Sequence, residues 1–236
     1  MSENQTTDRK SKEKNSGQTK IIRKAKSIVV DGDRCDYLDR SHIKRSITHA
    51  LFYAQLPDRI EKKMQFTIGV TSPKKGDGKT VTAANLAAAM ALAYNKKTVL
   101  VDLSVSNPTL HKVFGAKQRP GLFDSLHNGS IMLSQTRIDQ LYLLPSGQLN
   151  LYNFGLESIV PVQDVLYSLK QEFEVIIVDL NPVMPVREYP AALANELDGM
   201  IIVLDALRTK YADVEKVFNH VRKEQTIGFV MNNVED

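Results

Sequence analysis

Phe66-Thr67-Ile68-Gly69-Val70-Thr71-Ser72-Pro73-Lys74-Lys75-Gly76-Asp77-Gly78-Lys79-Thr80 reads as an apolar strand, a glycine-rich turn and the first residues of a helix. The Ala- and Leu-rich run from Thr80 to Tyr94 continues that helix. Strand, glycine turn and helix in this order form a phosphate-binding loop. Gly76 and Gly78 let backbone N–H groups face an anion, and the helix adds its positive N-terminal dipole. Lys79 reaches the β- and γ-phosphates of a nucleotide, and the Thr80 hydroxyl is a ligand for Mg²⁺. The strict pattern has glycine six places before the lysine, where this chain has Pro73.

Working outward, further buried-type strands read as Thr98–Asp102, Leu141–Leu144, Val175–Asp179, Met200–Leu204 and Gly228–Met231, with helical stretches near 160–171, 188–197 and 211–223. Continuously apolar strands separated by helices predict an α/β fold, a doubly wound and mainly parallel sheet flanked by helices. Asp102 and Asp179 each close a strand. Ligands in such sheets bind beyond the carboxyl ends of the strands, so both carboxylates fall at the edge that carries the phosphate loop. They are candidate Mg²⁺ partners, directly or through water; a strand-end turn or helix cap is the other reading of each. Upstream, Ile43, Ile47 and Leu51 repeat at helical spacing over 39–55.

Composition excludes several classes. The chain has 236 residues, 42% hydrophobic and 25% charged, as in an ordinary globular protein. Tryptophan is absent and aromatics are 7%, so no stacking platform for nucleic acid is present. No apolar run approaches the roughly 20 residues of a membrane helix, and the polar N-terminus lacks a secretory core. The single cysteine, Cys35, sits in a polar stretch ahead of the strands; it excludes a disulfide framework and makes a reducing cytoplasm the default. The five histidines lack metal-ligand spacing. Net charge is +4, but residues 1–27 carry eight Lys/Arg against three acids, which leaves the rest at −1. The expected organisation is a disordered basic arm over 1–27 and one nucleotide-binding domain over 28–236. The arm is either a solubilising linker or a contact to an acidic partner or anionic membrane surface.

The blocks TSPKKGDGKTVTAANLA, KKTVLVDLSVSNPTLHKVFG, PGLFDSL, LYLLPSG, FEVIIVDLNPV and DGMIIVLDALRT, in this order, closely resemble the bacterial tyrosine kinases of polysaccharide export. These are cytoplasmic P-loop proteins of the MinD/ParA-like superclass that pair with a membrane polysaccharide co-polymerase. The resemblance runs from about residue 39 to 236. It implies a Walker A loop at 72–80, a Walker A′ strand at 98–108 and a Walker B strand at 175–179. It further implies ATP and Mg²⁺ as cofactors, with Gly76, Asp77, Gly78, Lys79, Thr80 and Val81 around the phosphates and Asn232 near the adenine. Thr80, Asp102 and Asp179 would serve Mg²⁺; Lys79, Asp102 and Asp179 would carry catalysis. The implied partner is the membrane co-polymerase, with a homo-oligomer as a further implication and no nucleic acid. The implied location is cytoplasmic, at the inner face of the membrane through that partner.

The chain departs from the family at informative places. The Walker A′ strand of relatives ends in Asp-x-Asp-x-Arg; here it reads Asp102-Leu103-Ser104-Val105-Ser106. A serine hydroxyl is not a base near neutral pH, and loss of a general base typically costs about 10²–10⁴-fold. Walker B is followed by Leu180-Asn181-Pro182 rather than Thr-Pro-Pro, and Ser41, Lys44 and Ile47 occupy the places of the oligomerisation motif Glu-x-x-Arg-x-x-Arg. The eight tyrosines are scattered, with none beyond Tyr211. Lys74 stands where MinD-like relatives carry a signature lysine, but Lys75 replaces the usual glycine beside it; a solvated loop lysine is the other reading. Arg208 and Lys210 read equally as a basic loop or a solvated one. Three functions remain open: a tyrosine-kinase-type enzyme of exopolysaccharide or capsule synthesis, a degenerate ATP-binding regulator of a co-polymerase or true kinase, and a MinD/ParA-like ATPase.

Overall fold

The computed structural model describes residues 26–35, 65–148 and 158–234. Expectations for 1–25, for the helical pattern at 39–55 and for Ser41, Lys44 and Ile47 lie outside these residues. Eight strands form one sheet in the order β1-β4-β5-β3-β6-β2-β7-β8. They are β1 Ser27–Cys35, β2 Phe66–Thr71, β3 Thr98–Leu103, β4 Ser130–Thr136, β5 Leu141–Leu144, β6 Val175–Leu180, β7 Gly199–Asp205 and β8 Thr226–Asn232. Every pairing is parallel except β4 with β5. Every residue of β2, β3 and β6 is buried, which explains why their sequences are continuously apolar rather than alternating.

Helices cover both faces. In chain order they are α1 Lys79–Ala93, α2 Leu110–Val113, α3 Leu122–His127, α4 Ile159–Glu172, α5 Ala191–Ala194 and α6 Tyr211–Phe218. One core packs α1 on Ile68, Val70, Leu100, Ile177 and Val203. Ten of its fifteen residues are buried, many of them alanines, so the helix lies close to the sheet with little polar surface. The opposite core packs Val162, Val165 and Leu169 of α4, with Val217 of α6, on Val99, Val101, Ile176, Val178 and Ile202. The doubly wound sheet expected from the sequence is present.

Two strands escaped the sequence reading. β1 is parallel to β4, with Ile28 opposite Ile131 and Val30 opposite Leu133. Cys35, read as polar chain ahead of the strands, is the last residue of β1. Lys26, counted with the basic arm, donates through its backbone N–H to Ser168 Oγ at 2.8 Å. Its ammonium donates to the carbonyls of Ser125, Leu126 and Asn128 and so satisfies the open end of α3. The helix expected at 188–197 is broken: Val186–Glu188 is a 3₁₀ turn and α5 begins only after Pro190, whose fixed φ and missing N–H interrupt a continuous helix. The helix expected at 211–223 ends at Phe218. No helix among the described residues is long and apolar enough to cross a membrane.

Ile177 has no exposed surface at the centre of β6, whereas Val160 on α4 is 49% exposed. Ile177→Ala is expected to lower unfolding free energy by about 2–5 kcal/mol and Val160→Ala by less than about 1 kcal/mol, measured by urea denaturation. Equal effects would contradict the assignment of the core.

Candidate functional site

The loop from Ser72 to Gly78 runs between β2 and α1. Gly76 and Gly78 have φ of +89° and +99°, the left-handed region that only glycine enters without strain. A Cβ on Gly78 would also lie 2.3 Å from Asn232 Nδ2. The loop is held from within and from both sides. Asp77 Oδ2 accepts the Lys74 N–H at 2.8 Å, and Ser72 Oγ donates to the Lys74 carbonyl at 2.7 Å. The N–H groups of Val183 and Met184, just past β6, donate to the carbonyls of Ser72 and Pro73.

Lys79 points into the end of the sheet, with 11% of its side chain exposed. Its Nζ lies 3.3 Å from Ser104 Oγ, 3.4 Å from Thr80 Oγ1 and 3.7 Å from Asp179 Oδ1. Thr80 Oγ1 donates to Asp179 Oδ2 at 2.7 Å. Asp102 and Asp179 are paired across β3 and β6 and both are fully buried. Asp102 accepts the N–H of Ser104 at 3.1 Å and of Leu110 at 3.2 Å. Burial, followed by the neighbouring charge of Asp179, pushes Asp102 up to about 8. Burial also raises Asp179, against the pull of Lys79 and the Thr80 hydroxyl.

Asp179 Oδ1 has no hydrogen-bond partner among the described residues. A buried carboxylate oxygen left open beside a threonine hydroxyl and a second carboxyl is a set of hard oxygen donors, the chemistry that Mg²⁺ takes. Thr80, Asp102 and Asp179 therefore fit such an ion. A cavity of about 270 Å³ opens here, bordered by Gly78, Lys79, Thr80, Val81, Ser104 and Glu188. The structure brings together every residue that the sequence placed at the phosphates.

Asp77 and Asn232 also hold the loop itself. The Asp77 carboxylate turns inward to its own loop, with its side chain 3% exposed. The Asn232 amide donates to the Asp77 carbonyl at 3.1 Å, so it braces the phosphate loop. Ser106 donates through its N–H and its hydroxyl to Asn181 Oδ1, and Asn181 donates to the Glu188 carbonyl, linking the ends of β3 and β6.

Arg208 and Lys74 were not separable from solvated residues in the sequence. Arg208 donates to the Gly76 carbonyl at 3.0 Å and through Nε to Asp205 Oδ2 at 2.6 Å. Asn233 donates to the same Asp205 oxygen at 2.9 Å. Lys74 Nζ pairs with Asp213 of α6 at 2.6 Å. The phosphate loop is thus tied to the segment after β7, a long-range link that sequence spacing does not carry.

The family model described as the CobQ/CobB/MinD/ParA nucleotide binding domain matches residues 68–236. Tyrosine-protein kinase CpsD of Streptococcus agalactiae serotype III (strain NEM316) is 28% identical over 175 residues, 72% of this chain and 75% of that protein. Succinoglycan biosynthesis transport protein ExoP of Rhizobium meliloti (strain 1021) is 24% identical over 176 residues, 71% of this chain and 22% of that protein. The solved kinase domain of VpsO shares the fold at a TM-score of 0.72 and 23% identity, covering 83% of this chain and 98% of that domain.

Arg208→Ala is expected to weaken Mg²⁺–nucleotide binding by roughly three- to tenfold in calorimetric titration while leaving the fold intact, because Arg208 is an exposed, charge-assisted brace. Unchanged affinity would contradict that role. Asp102 binds its proton more tightly folded than unfolded, so its stability contribution is present in acid and lost as pH rises toward about 8. The melting temperature of the ligand-free protein is expected to fall from about pH 6 to about pH 8, and Asp102→Asn to flatten that slope. Identical slopes would contradict the shift.

Proposed function

We propose that this chain, which belongs to the CobQ/CobB/MinD/ParA nucleotide-binding family, is an ATP-binding protein of the bacterial tyrosine-kinase type in exopolysaccharide or capsule biosynthesis. Phosphoryl transfer from ATP is slowed by the residues at the end of β3. The observation that carries this reading is the convergence of Lys79, Thr80 and Asp179 at the glycine turn, with one oxygen of Asp179 left open. The similarity to CpsD and ExoP supports the kinase type and the polysaccharide setting.

The chain's own residues do the following. Backbone N–H groups of the loop and the first turn of α1 cradle the phosphates. Lys79, which rests between Ser104 and Asp179, would turn to the β- and γ-phosphates of a bound nucleotide. Thr80, Asp179 and Asp102 would hold Mg²⁺, which supplies neutralisation of charge on the phosphate oxygens. Asn232, at the end of β8 and bonded to the Asp77 carbonyl, is the residue that the family resemblance sets near the adenine. Ser104 stands where relatives carry the second aspartate, and its hydroxyl takes no proton from an acceptor. Positioning and charge stabilisation remain, and phosphoryl transfer depends chiefly on these.

The same serine favours a second reading, an ATP-binding regulator with no useful turnover. In the first reading the partner is a membrane polysaccharide co-polymerase that draws the chain, as a homo-oligomer, to the inner face of the membrane; in the second it is such a co-polymerase or a true kinase. The basic arm over 1–27 adds attraction to an anionic surface there.

Lys79→Ala is expected to lower Mg²⁺–ATP affinity at least about tenfold, the scale of losing a charge-assisted contact. Ser104→Asp is expected to raise ATP turnover at least about tenfold by restoring a carboxylate. Intact-protein mass after incubation with Mg²⁺–ATP decides between the readings. A phosphate adduct absent from Lys79→Ala supports the kinase; bound ATP with no adduct supports the regulator; no ATP binding overturns both.

A further inference from the structure

We propose that Glu188 is a catalytic residue of this site, its carboxylate taking the proton of the hydroxyl that attacks the terminal phosphorus of ATP. The inference deepens the kinase-type reading above and rests on it. Relatives carry a second aspartate at the end of the Walker A′ strand, where this chain has Ser104. With that base gone, the proton needs another acceptor in the cavity. The phosphate loop forms one wall of the cavity; Ser104 and Ser106, past β3, form the second, and Pro182, Pro185 and Glu188, past β6, form the third. Among the described residues that border it, Lys75 and Lys79 carry ammonium groups and Glu188 alone carries a carboxylate. Neither an ammonium nor a serine hydroxyl takes up a proton near neutral pH, whereas a carboxylate does so in general base catalysis. Asp102 and Asp179 are fully buried and do not border the cavity. Bound to a cation, they would be poorer proton acceptors, because the positive charge favours their ionised form.

Glu188 is held by its backbone and left open at its side chain. Its N–H donates to the Pro185 carbonyl at 3.0 Å, and its carbonyl accepts the Asn181 amide at 2.6 Å. The next residue, Tyr189, is buried in the core. Asn181 also accepts the N–H and the hydroxyl of Ser106. Ser106 and Asn181, two departures from the pattern of relatives, thus form a bonded path from the end of β3, beside Ser104, to the backbone of Glu188. The Glu188 carboxylate is 31% exposed, and its charged neighbour among the described residues is Arg187 Nε at 3.9 Å. Arg187 is 84% exposed, so the pair is weak and leaves the carboxylate free to take a proton.

In the step, the oxygen of the attacking hydroxyl bonds to the terminal phosphorus of ATP. The bond from that phosphorus to the bridging oxygen breaks, and ADP leaves with the electron pair. The proton of the hydroxyl passes to a carboxylate oxygen of Glu188, which then returns it to solvent. The base approaches from the wall past β6 rather than from the end of β3, so the step keeps a proton acceptor although Ser104 provides none.

The test compares four full-length chains: wild type, Glu188→Gln, Ser104→Asp and the double variant. ADP release is measured at saturating Mg²⁺–ATP. Free and protein-bound phosphate are counted separately, which tells water from a side-chain hydroxyl as the attacking group. Glu188→Gln is nearly isosteric and is expected to lower turnover about 10²-fold. Its Mg²⁺–ATP affinity in calorimetric titration is expected to hold or to rise by up to about threefold, because a negative charge beside the phosphates is removed. In the Ser104→Asp background the same change is expected to cost less than about threefold, because the introduced carboxylate takes the proton. An equal loss in both backgrounds, or weaker ATP binding by Glu188→Gln, marks a structural role and overturns the proposal. Undiminished turnover in Glu188→Gln beside an active wild type overturns Glu188 and leaves the kinase reading standing. Turnover confined to the Ser104→Asp chains also overturns Glu188, since the wild-type chain then has no working base. ADP release from none of the four overturns the kinase reading and the base with it.

Discussion

Two carboxyl groups, Asp102 and Asp179, are buried side by side at the ends of β3 and β6, with one ammonium, Lys79, beside them. The rest of the site follows from this constraint. Two buried negative charges against one positive charge are unfavourable in a low-dielectric interior. The ligand-free molecule answers by raising both carboxyls, by donating the Ser104 and Leu110 N–H groups to Asp102, and by donating the Thr80 hydroxyl to Asp179. One oxygen of Asp179 still has no hydrogen bond among the described residues. A divalent cation bound there would let both carboxyls ionise.

The second constraint is shape. The phosphate loop takes its curvature from two glycines with positive φ, but its position comes from elsewhere. Residues after β6 hold its first half through the Ser72 and Pro73 carbonyls. Arg208 and Asn232, after β7 and at the end of β8, hold its second half through the carbonyls of Gly76 and Asp77. The ends of β7 and β8 and the phosphate loop are therefore one mechanical unit. The segment that carries Arg208 is itself held at two points, by Arg208 on Asp205 and by the Lys210 N–H on Asp213.

Much of this was legible in the sequence where a local pattern reports a global role. Continuous apolar runs marked β2, β3, β6 and β7 because strands buried on both faces have no polar alternation to show. The Gly-Asp-Gly-Lys-Thr turn marked the phosphate loop, and the aspartates ending two strands marked the pair of carboxyls buried beside Lys79. β1 and β4 were missed for opposite reasons: β1 lies on the sheet edge behind charged residues, and β4 is short of the buried-run pattern, with alternating half-buried positions. Pro190 was given too little weight in a helical reading. Arg208 and Lys74 depend on contacts between segments more than 130 residues apart, which no spacing rule contains. The serines at 104 and 106 were readable as departures, and the structure shows what they touch: Lys79 and Asn181.

The most direct test of the account is a crystal structure of the full chain with Mg²⁺ and a non-hydrolysable ATP analogue. Lys79 Nζ should leave Ser104 for the phosphates, and the open oxygen of Asp179 should gain the cation or a water bound to it. A nucleotide seated elsewhere, or an Asp179 oxygen still without a partner beside bound phosphates, would contradict the central claim that the buried acid pair is a cation site.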